Sequence, residues 1–156
     1  MLAESGSDVS TIAVANPEYQ TYGRTPELYL GYARMQYLAS PERVVKDQNS
    51  TYSIPTQLVP NVFAYQGNWS IMPEYAAPSK DAQLHLNFEA KEVYLVARPK
   101  NGHAGQMKIT VAGQSSVITV DSDRLYKLIQ LAAPGRHELT IEFIDDNVEI
   151  YAFTFG

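Results

Sequence analysis

The histidines His85, His103 and His137 lie far apart in the chain, with no HxH or HxxxH spacing to set two of them on one element. A zinc site needs three or four converging ligands, and the sequence contains no cysteine to supply a thiolate. The same lack of cysteine removes disulfides, thiol nucleophiles and CxxC redox chemistry from this chain. Carboxylates offer more. Asp145, Asp146, Asn147 and Glu149 crowd one turn and Asp121 and Asp123 another, so Asp145, Asp146 and Glu149 are candidate ligands for a structural calcium ion, the one cofactor the sequence suggests. The competing reading is that these are Asx residues that shape turns. Glu89, Glu92, Glu138, Glu142 and Asp145 could pair in the fold for glycoside hydrolysis. No serine stands in a Gly-x-Ser-x-Gly turn and no glycine-rich loop could cradle a phosphate.

The aromatic residues give two further readings. Trp69 with Tyr29, Tyr32, Tyr65 and Tyr75 could form a stacking platform for sugar rings; alternatively, Trp69 plugs the core and the tyrosines ring its rim. Tyrosine numbers 11 of 156 residues, and eight of these precede residue 76. Asn49-Ser50-Thr51 and Asn68-Trp69-Ser70 match the N-glycosylation pattern, which has meaning only in a eukaryotic secretory setting.

Composition narrows the classes. The chain is 45% hydrophobic and 19% charged, which suits one domain with its own core. A net charge of −5 and no basic cluster beyond Arg98, Lys100 and His103 argue against nucleic acid as a partner. No run reaches the roughly 18 apolar residues of a membrane span, and the first residues carry no signal-peptide pattern.

The elements that must position these groups read as strands. Residues 1–24 mix Ser, Gly, Asn and Pro without a period and are expected to be a linker or arm, with the domain over 25–156. Thr25–Gly31 suits a strand. Residues 39–61, with prolines at 41, 55 and 60, suit loop or edge with a short extended piece near Thr51–Ile54. Phe63–Ile71 reads as two strands around Gly67. Leu84, Leu86 and Phe88, then Val93, Leu95 and Ala97, alternate with polar neighbours, and the link Ala90-Lys91-Glu92 predicts a hairpin or a corner between sheets. Met107–Val111 and Ser116–Val120 flank Ala112-Gly113-Gln114-Ser115 as a hairpin. Leu125–Leu131 fits a short helix or an extended segment, Ala133-Pro134-Gly135-Arg136 is a turn signal, and Leu139, Ile141 and Phe143 mark another strand. The last stretch, Val148–Gly156, is apolar at both alternating sets of positions, so it is expected inside a sheet. One of its faces should enter the core, and the other, with Val148, Ile150 and Ala152, should lie beneath a loop, the N-terminal arm or a second protein. Eight or more short strands predict an all-β, jelly-roll-like β-sandwich.

Three stretches in order, TPELYLG at Thr25–Gly31, AKEVYLV at Ala90–Val96 and YAFTFG at Tyr151–Gly156, resemble the C-terminal domain of DipZ-type thioredoxin-like proteins, a family associated with cytochrome c biogenesis. The resemblance covers residues 25–156. It implies a β-sandwich resembling carbohydrate-binding modules, placed after a thioredoxin-like domain that holds the CxxC. Because this chain lacks cysteine, no redox role transfers to any of its residues. The resemblance therefore implies a non-catalytic accessory domain in the periplasm or another extracytoplasmic space, with residues 1–24 as the remaining linker. Its partners would be the thioredoxin-like domain of the same or a neighbouring chain and a carbohydrate or protein client. A purely structural role, packing on that partner or mediating dimerisation, is the alternative.

Overall fold

The computed structural model describes residues 24–156, so the expected linker over residues 1–23 lies outside the described residues. Nine strands follow in order: β1 (Leu28–Tyr29), β2 (Asn49–Tyr52), β3 (Phe63–Ile71), β4 (Ala76–Pro78), β5 (Gln83–Pro99), β6 (Gly105–Val111), β7 (Gln114–Val120), β8 (Arg124–Phe143) and β9 (Val148–Phe155). All strand-to-strand pairings are antiparallel, and the described chain contains no helix. This is the all-β sandwich expected.

Two long strands join the layers. The first part of β5 pairs with β3 through Phe63↔Leu86 and the second part with β9 through Leu95↔Phe153, while β8 runs alongside both. Inward-facing residues change parity between the two parts. Leu84, Leu86, Phe88 and Ala90 are buried, then Val93, Leu95 and Ala97. A β-bulge between Ala90 and Glu92 makes this switch, so the expected hairpin or corner at Ala90-Lys91-Glu92 is instead a bend within one strand. The physical reason is local: that link holds no Gly, Pro or Asn to reverse the chain. The end of the chain secures the bend, since the N–H groups of Lys91 and Glu92 donate to the Gly156 carbonyl and the Gly156 N–H returns to Glu92.

The same bend corrects the turn expected at residues 133–136. On β8 the register passes from Gln130↔Glu92 to Gly135↔Ala90, leaving the intervening residues without ladder partners. Pro134 is therefore tolerated where it displaces no interstrand bond. Leu125–Leu131 is strand, not helix. Phe63–Ile71 is one strand with a kink at Gly67, whose φ of 93° lies in the left-handed region.

The core lies between the layers. Trp69, Tyr65, Phe63, Phe88, Phe143 and Phe153 are all fully buried, joined by Leu28, Leu30, Ile71, Leu84 and Leu86. Strand β9 supplies Val148 and Ile150, then Phe153, to this core. Its pairing with β5 skips a residue between Ala152 and Ile150, and the bulge lets residues from both alternating sets point inward in turn. The apolarity of both sets thus reflects a register shift. Val148 and Ile150 are core residues and not, with Ala152, the outer face expected beneath a loop, an arm or a second protein, which corrects that expectation.

Candidate functional site

At the bulge, β9 turns Tyr151 and Ala152 to the outside of the sandwich. There they form one wall of a cleft of about 340 Å³ whose lining also includes Tyr29, Gly31, Arg34 and Glu74. Leu30 N–H donates to the Tyr151 carbonyl at 2.9 Å and fastens the segment after β1 to β9. The opposite wall is built by the turn before β4. Tyr32 and Ala33 donate their N–H groups to the carbonyls of Met72 and Pro73, each at 2.9 Å. Gly31 is required at this crossing, because a Cβ there would lie 2.4 Å from backbone atoms of Pro73 and Glu74.

Arg34 and Tyr29 stand between this cleft and a second of about 320 Å³, lined by Glu27, Gln36 and Tyr37 as well. The Arg34 guanidinium lies 3.9 Å from the Tyr29 ring centroid and its Nη2 donates to the Tyr29 hydroxyl at 2.8 Å. The Tyr29 hydroxyl donates in turn to Glu27 Oε1. That bond, with burial and the Glu27 charge, raises the Tyr29 phenol above its ordinary pKa, and the Arg34 charge opposes the rise. On the same outer face Tyr75 and Tyr151 pack with ring centroids 5.4 Å apart, and Arg98 lies 5.4 Å from each ring. Burial raises the Tyr151 phenol, with Arg98 opposing. Arg98 is anchored by Glu149, Nε to Oε1 at 2.7 Å, and this bond raises the Arg98 pKa further. The face therefore offers phenol rings, phenol hydroxyls and oriented guanidiniums, a set suited to stacking and hydrogen bonding of a ligand.

The structure separates the residues expected to form one platform. Tyr29 lines the cleft and Tyr75 flanks Tyr151, but Trp69 and Tyr65 are fully buried and present no face to a ligand. Trp69 packs 4.5 Å from Tyr65 and edge-on to Phe143 at 5.3 Å, with Nε1–H donating to the Gln66 carbonyl. The Tyr65 hydroxyl donates to the Leu30 carbonyl at 2.7 Å. The inward parity of β3, which sets Phe63, Tyr65, Trp69 and Ile71 on the core side, accounts for this burial. Tyr32 bonds Asp47 through its hydroxyl, which raises its pKa, and takes no part in lining the cleft.

The expected calcium ligands also part company. Asp145 accepts from the N–H groups of Gln106 and Asn147, Glu149 pairs with Arg98, and Asp146 is exposed. Among the described residues no group of three or more His, Asp or Glu side chains is placed to hold a metal ion. These residues serve the turn and the ion pair instead. A third cleft, lined by residues 54–58 with His85 and Glu138, sits on another face. Of the carboxylates expected to pair for glycoside hydrolysis, Glu138 alone lines one of these three clefts.

Sequence reasoning overlooked Arg34, Arg98, Glu74 and Tyr151 as site residues. For Tyr151 a signal existed, since alternation placed it opposite Ile150. For Arg34 and Glu74 there was none, because they meet only where the chain after β1 crosses the turn before β4.

Known proteins are similar to this chain in sequence and in structure. The chain is 23% identical over 134 residues to Protein DipZ of Mycobacterium bovis, covering 85% of this chain and 18% of that protein. It thus spans about a fifth of the curated relative's length. Among solved structures, a family two carbohydrate esterase from Cellvibrio japonicus matches with a TM-score of 0.50 and 9% identity, over 83% of this chain and 32% of the esterase. The carbohydrate-binding module CBM36, in complex with calcium and xylotriose, matches with a TM-score of 0.46 and 8% identity over 84% of this chain and 99% of the module. Residues 25–156 match the family described as Thioredoxin like C-terminal domain, and the chain belongs to that family.

Proposed function

We propose that this domain is the non-catalytic binding module of a thioredoxin-like protein of the bacterial envelope, and that it takes a glycan in the cleft beside Tyr29, Arg34 and Tyr151. The observation that supports this reading is the placement of the aromatics: Trp69 and Tyr65 are sealed in the core, while Tyr29, Tyr75 and Tyr151 gather with two arginines on one outer face. A sugar ring has an apolar C–H face and a rim of hydroxyls. Tyr151 would receive the first, and Arg34 and Glu74 would bond the second. Redox chemistry would belong to a thioredoxin-like domain of the same or a neighbouring chain in the periplasm, because this chain has no cysteine.

Affinity electrophoresis in gels containing bacterial and plant polysaccharides tests the reading. Retardation by at least one polysaccharide is expected, lost in Tyr151→Ala and Tyr29→Ala variants that keep the wild-type circular dichroism. Retardation unchanged by both substitutions, or none in any gel, would sink it. Binding of a reduced, unfolded protein that depends on the same two tyrosines would replace the glycan with a polypeptide client.

A further inference from the structure

The free edges of this sandwich are not alike. Strand β1 is two residues long and β2 four, too short to template an added strand. The 124–130 part of β8 pairs with β5 and carries Arg124 and Lys127, charges that discourage edge-to-edge pairing. Strand β7, Gln114-Ser115-Ser116-Val117-Ile118-Thr119-Val120, differs in every respect. It holds seven residues in unbroken register with β6, without charge, proline or bulge. It also ends the strand order, with no partner on its outer side among the described residues. Val117 is 55% exposed, more than any other large exposed hydrophobic residue among those described.

The backbone groups free on this edge follow from the turn. Ala112 and Gly113 have φ of 51° and 77°, the two positive values of a type I′ hairpin, so Val111 and Gln114 flank the loop as a hydrogen-bonded pair. By alternation Ser116, Ile118 and Val120 also turn their backbone groups toward β6. Gln106 confirms the parity, since its carbonyl points the other way and accepts from Ile144. Ser115, Val117 and Thr119 therefore direct their N–H and C=O groups outward.

We propose that β7 is the contact through which two copies of this chain pair edge to edge, forming a two-fold dimer centred on Val117. Antiparallel self-pairing about that residue places Val117 opposite its own copy and Ser115 opposite Thr119. Each pair exchanges two backbone bonds, about six in all. On the outer face these are a β-branched pair flanked by hydroxyl pairs, combinations that favour sheets. The choice of a second copy rests on charge. A charged residue on the two-fold axis would meet its own copy, and β7 carries no charge there or elsewhere along its length. The charge nearest the axis, Lys108, is one strand in and opposite Glu142, so its two copies would stand roughly 14 Å apart, beyond the ~8 Å screening length. A seven-residue contact falls short of the about 1,200 Å² of a stable interface, so pairing is reversible and concentration-dependent.

Analytical ultracentrifugation of the 156-residue chain across a dilution series tests this. The weight-average mass should climb toward twice the monomer value as concentration rises. Val117→Pro, which removes an outward N–H that β6 does not use, and Val117→Lys, which sets like charges face to face, should both hold the monomer mass with an unchanged thermal midpoint. Val117→Thr should associate as the wild type does, within about twofold. A wild-type mass fixed at the monomer value across the series would overturn the proposal. So would a folded Val117→Lys variant that associates like the wild type.

Discussion

Two aromatic groups of this domain, one sealed inside the sandwich and one on its outer face, serve opposite ends. Around Trp69 the rings of Tyr65 and Phe143 pack at 4.5 and 5.3 Å with no exposed surface, and the polar atoms of Trp69 and Tyr65 are each used on a backbone carbonyl. Around Tyr151 the rings of Tyr75 and the guanidinium of Arg98 pack nearly as closely, yet they border an open cleft. Composition does not separate the two groups. Strand parity does: the unbroken alternation that turns Phe63, Tyr65, Trp69 and Ile71 inward on β3 and the bulge opposite Val96 and Ala97 on β9 decide which rings turn in and which turn out.

The contrast can be broken most forcefully at Trp69. Replacing it by alanine empties the centre of the core and should cost about 3–5 kcal/mol, read as a fall in the urea midpoint. Gly31→Ala should cost about 1–3 kcal/mol, because its Cβ meets the backbone of Pro73 and Glu74. That damage lies at the cleft, so ligand retention should vanish while the near-UV signal of Trp69 persists. Tyr151→Ala, at a half-buried position, should cost only about 1 kcal/mol in urea while abolishing retention.

Protons sharpen the same distinction. Burial pushes the His85 pKa below its ordinary 6.5, with Glu138 opposing, and its ring nitrogens meet Gln66 and Thr140. The unfolded chain thus binds this proton first as pH falls, so the His85 contribution is complete above about pH 6.5 and declines on acidification toward the folded pKa. Thermal midpoints measured from pH 7 to pH 5 should fall less steeply in His85→Gln. The Tyr29 and Tyr151 phenols, both raised, stay protonated from pH 7 to pH 9, and retention should not change across that range.

Much of the architecture was legible in the chain. The alternation of Leu84, Leu86 and Phe88 and of Val93, Leu95 and Ala97 fixed the inward faces correctly, and Ala112-Gly113 marked the hairpin of β6 and β7. What the alternation lacked was the connection, because a bulge leaves no residue signature as plain as a Gly or Asn turn. That is why β5 read as two strands and Pro134-Gly135 as a reversal. Of the aromatic residues named from sequence, Tyr29 lines the cleft and Tyr75 borders it. Trp69 and Tyr65 did not reach it, since they share the inward parity of Phe63 and Ile71 against Gln66, Asn68 and Ser70, an alternation that reading two strands around Gly67 concealed. Arg34 and Glu74 were invisible for a different reason, being joined by a crossing of segments some forty residues apart.

The central claim, that ligand is taken on the outer face of β9 and not at the Trp69 cluster, is tested most directly by amide chemical-shift mapping. The isotope-labelled chain would be titrated with an oligosaccharide from the polysaccharide that retards it. The account predicts shifts concentrated at Tyr29, Gly31, Arg34, Glu74 and Tyr151, with the amides around Trp69 unmoved. Shifts centred on Leu58, His85 and Glu138 at the other cleft, or spread through β3, would contradict it.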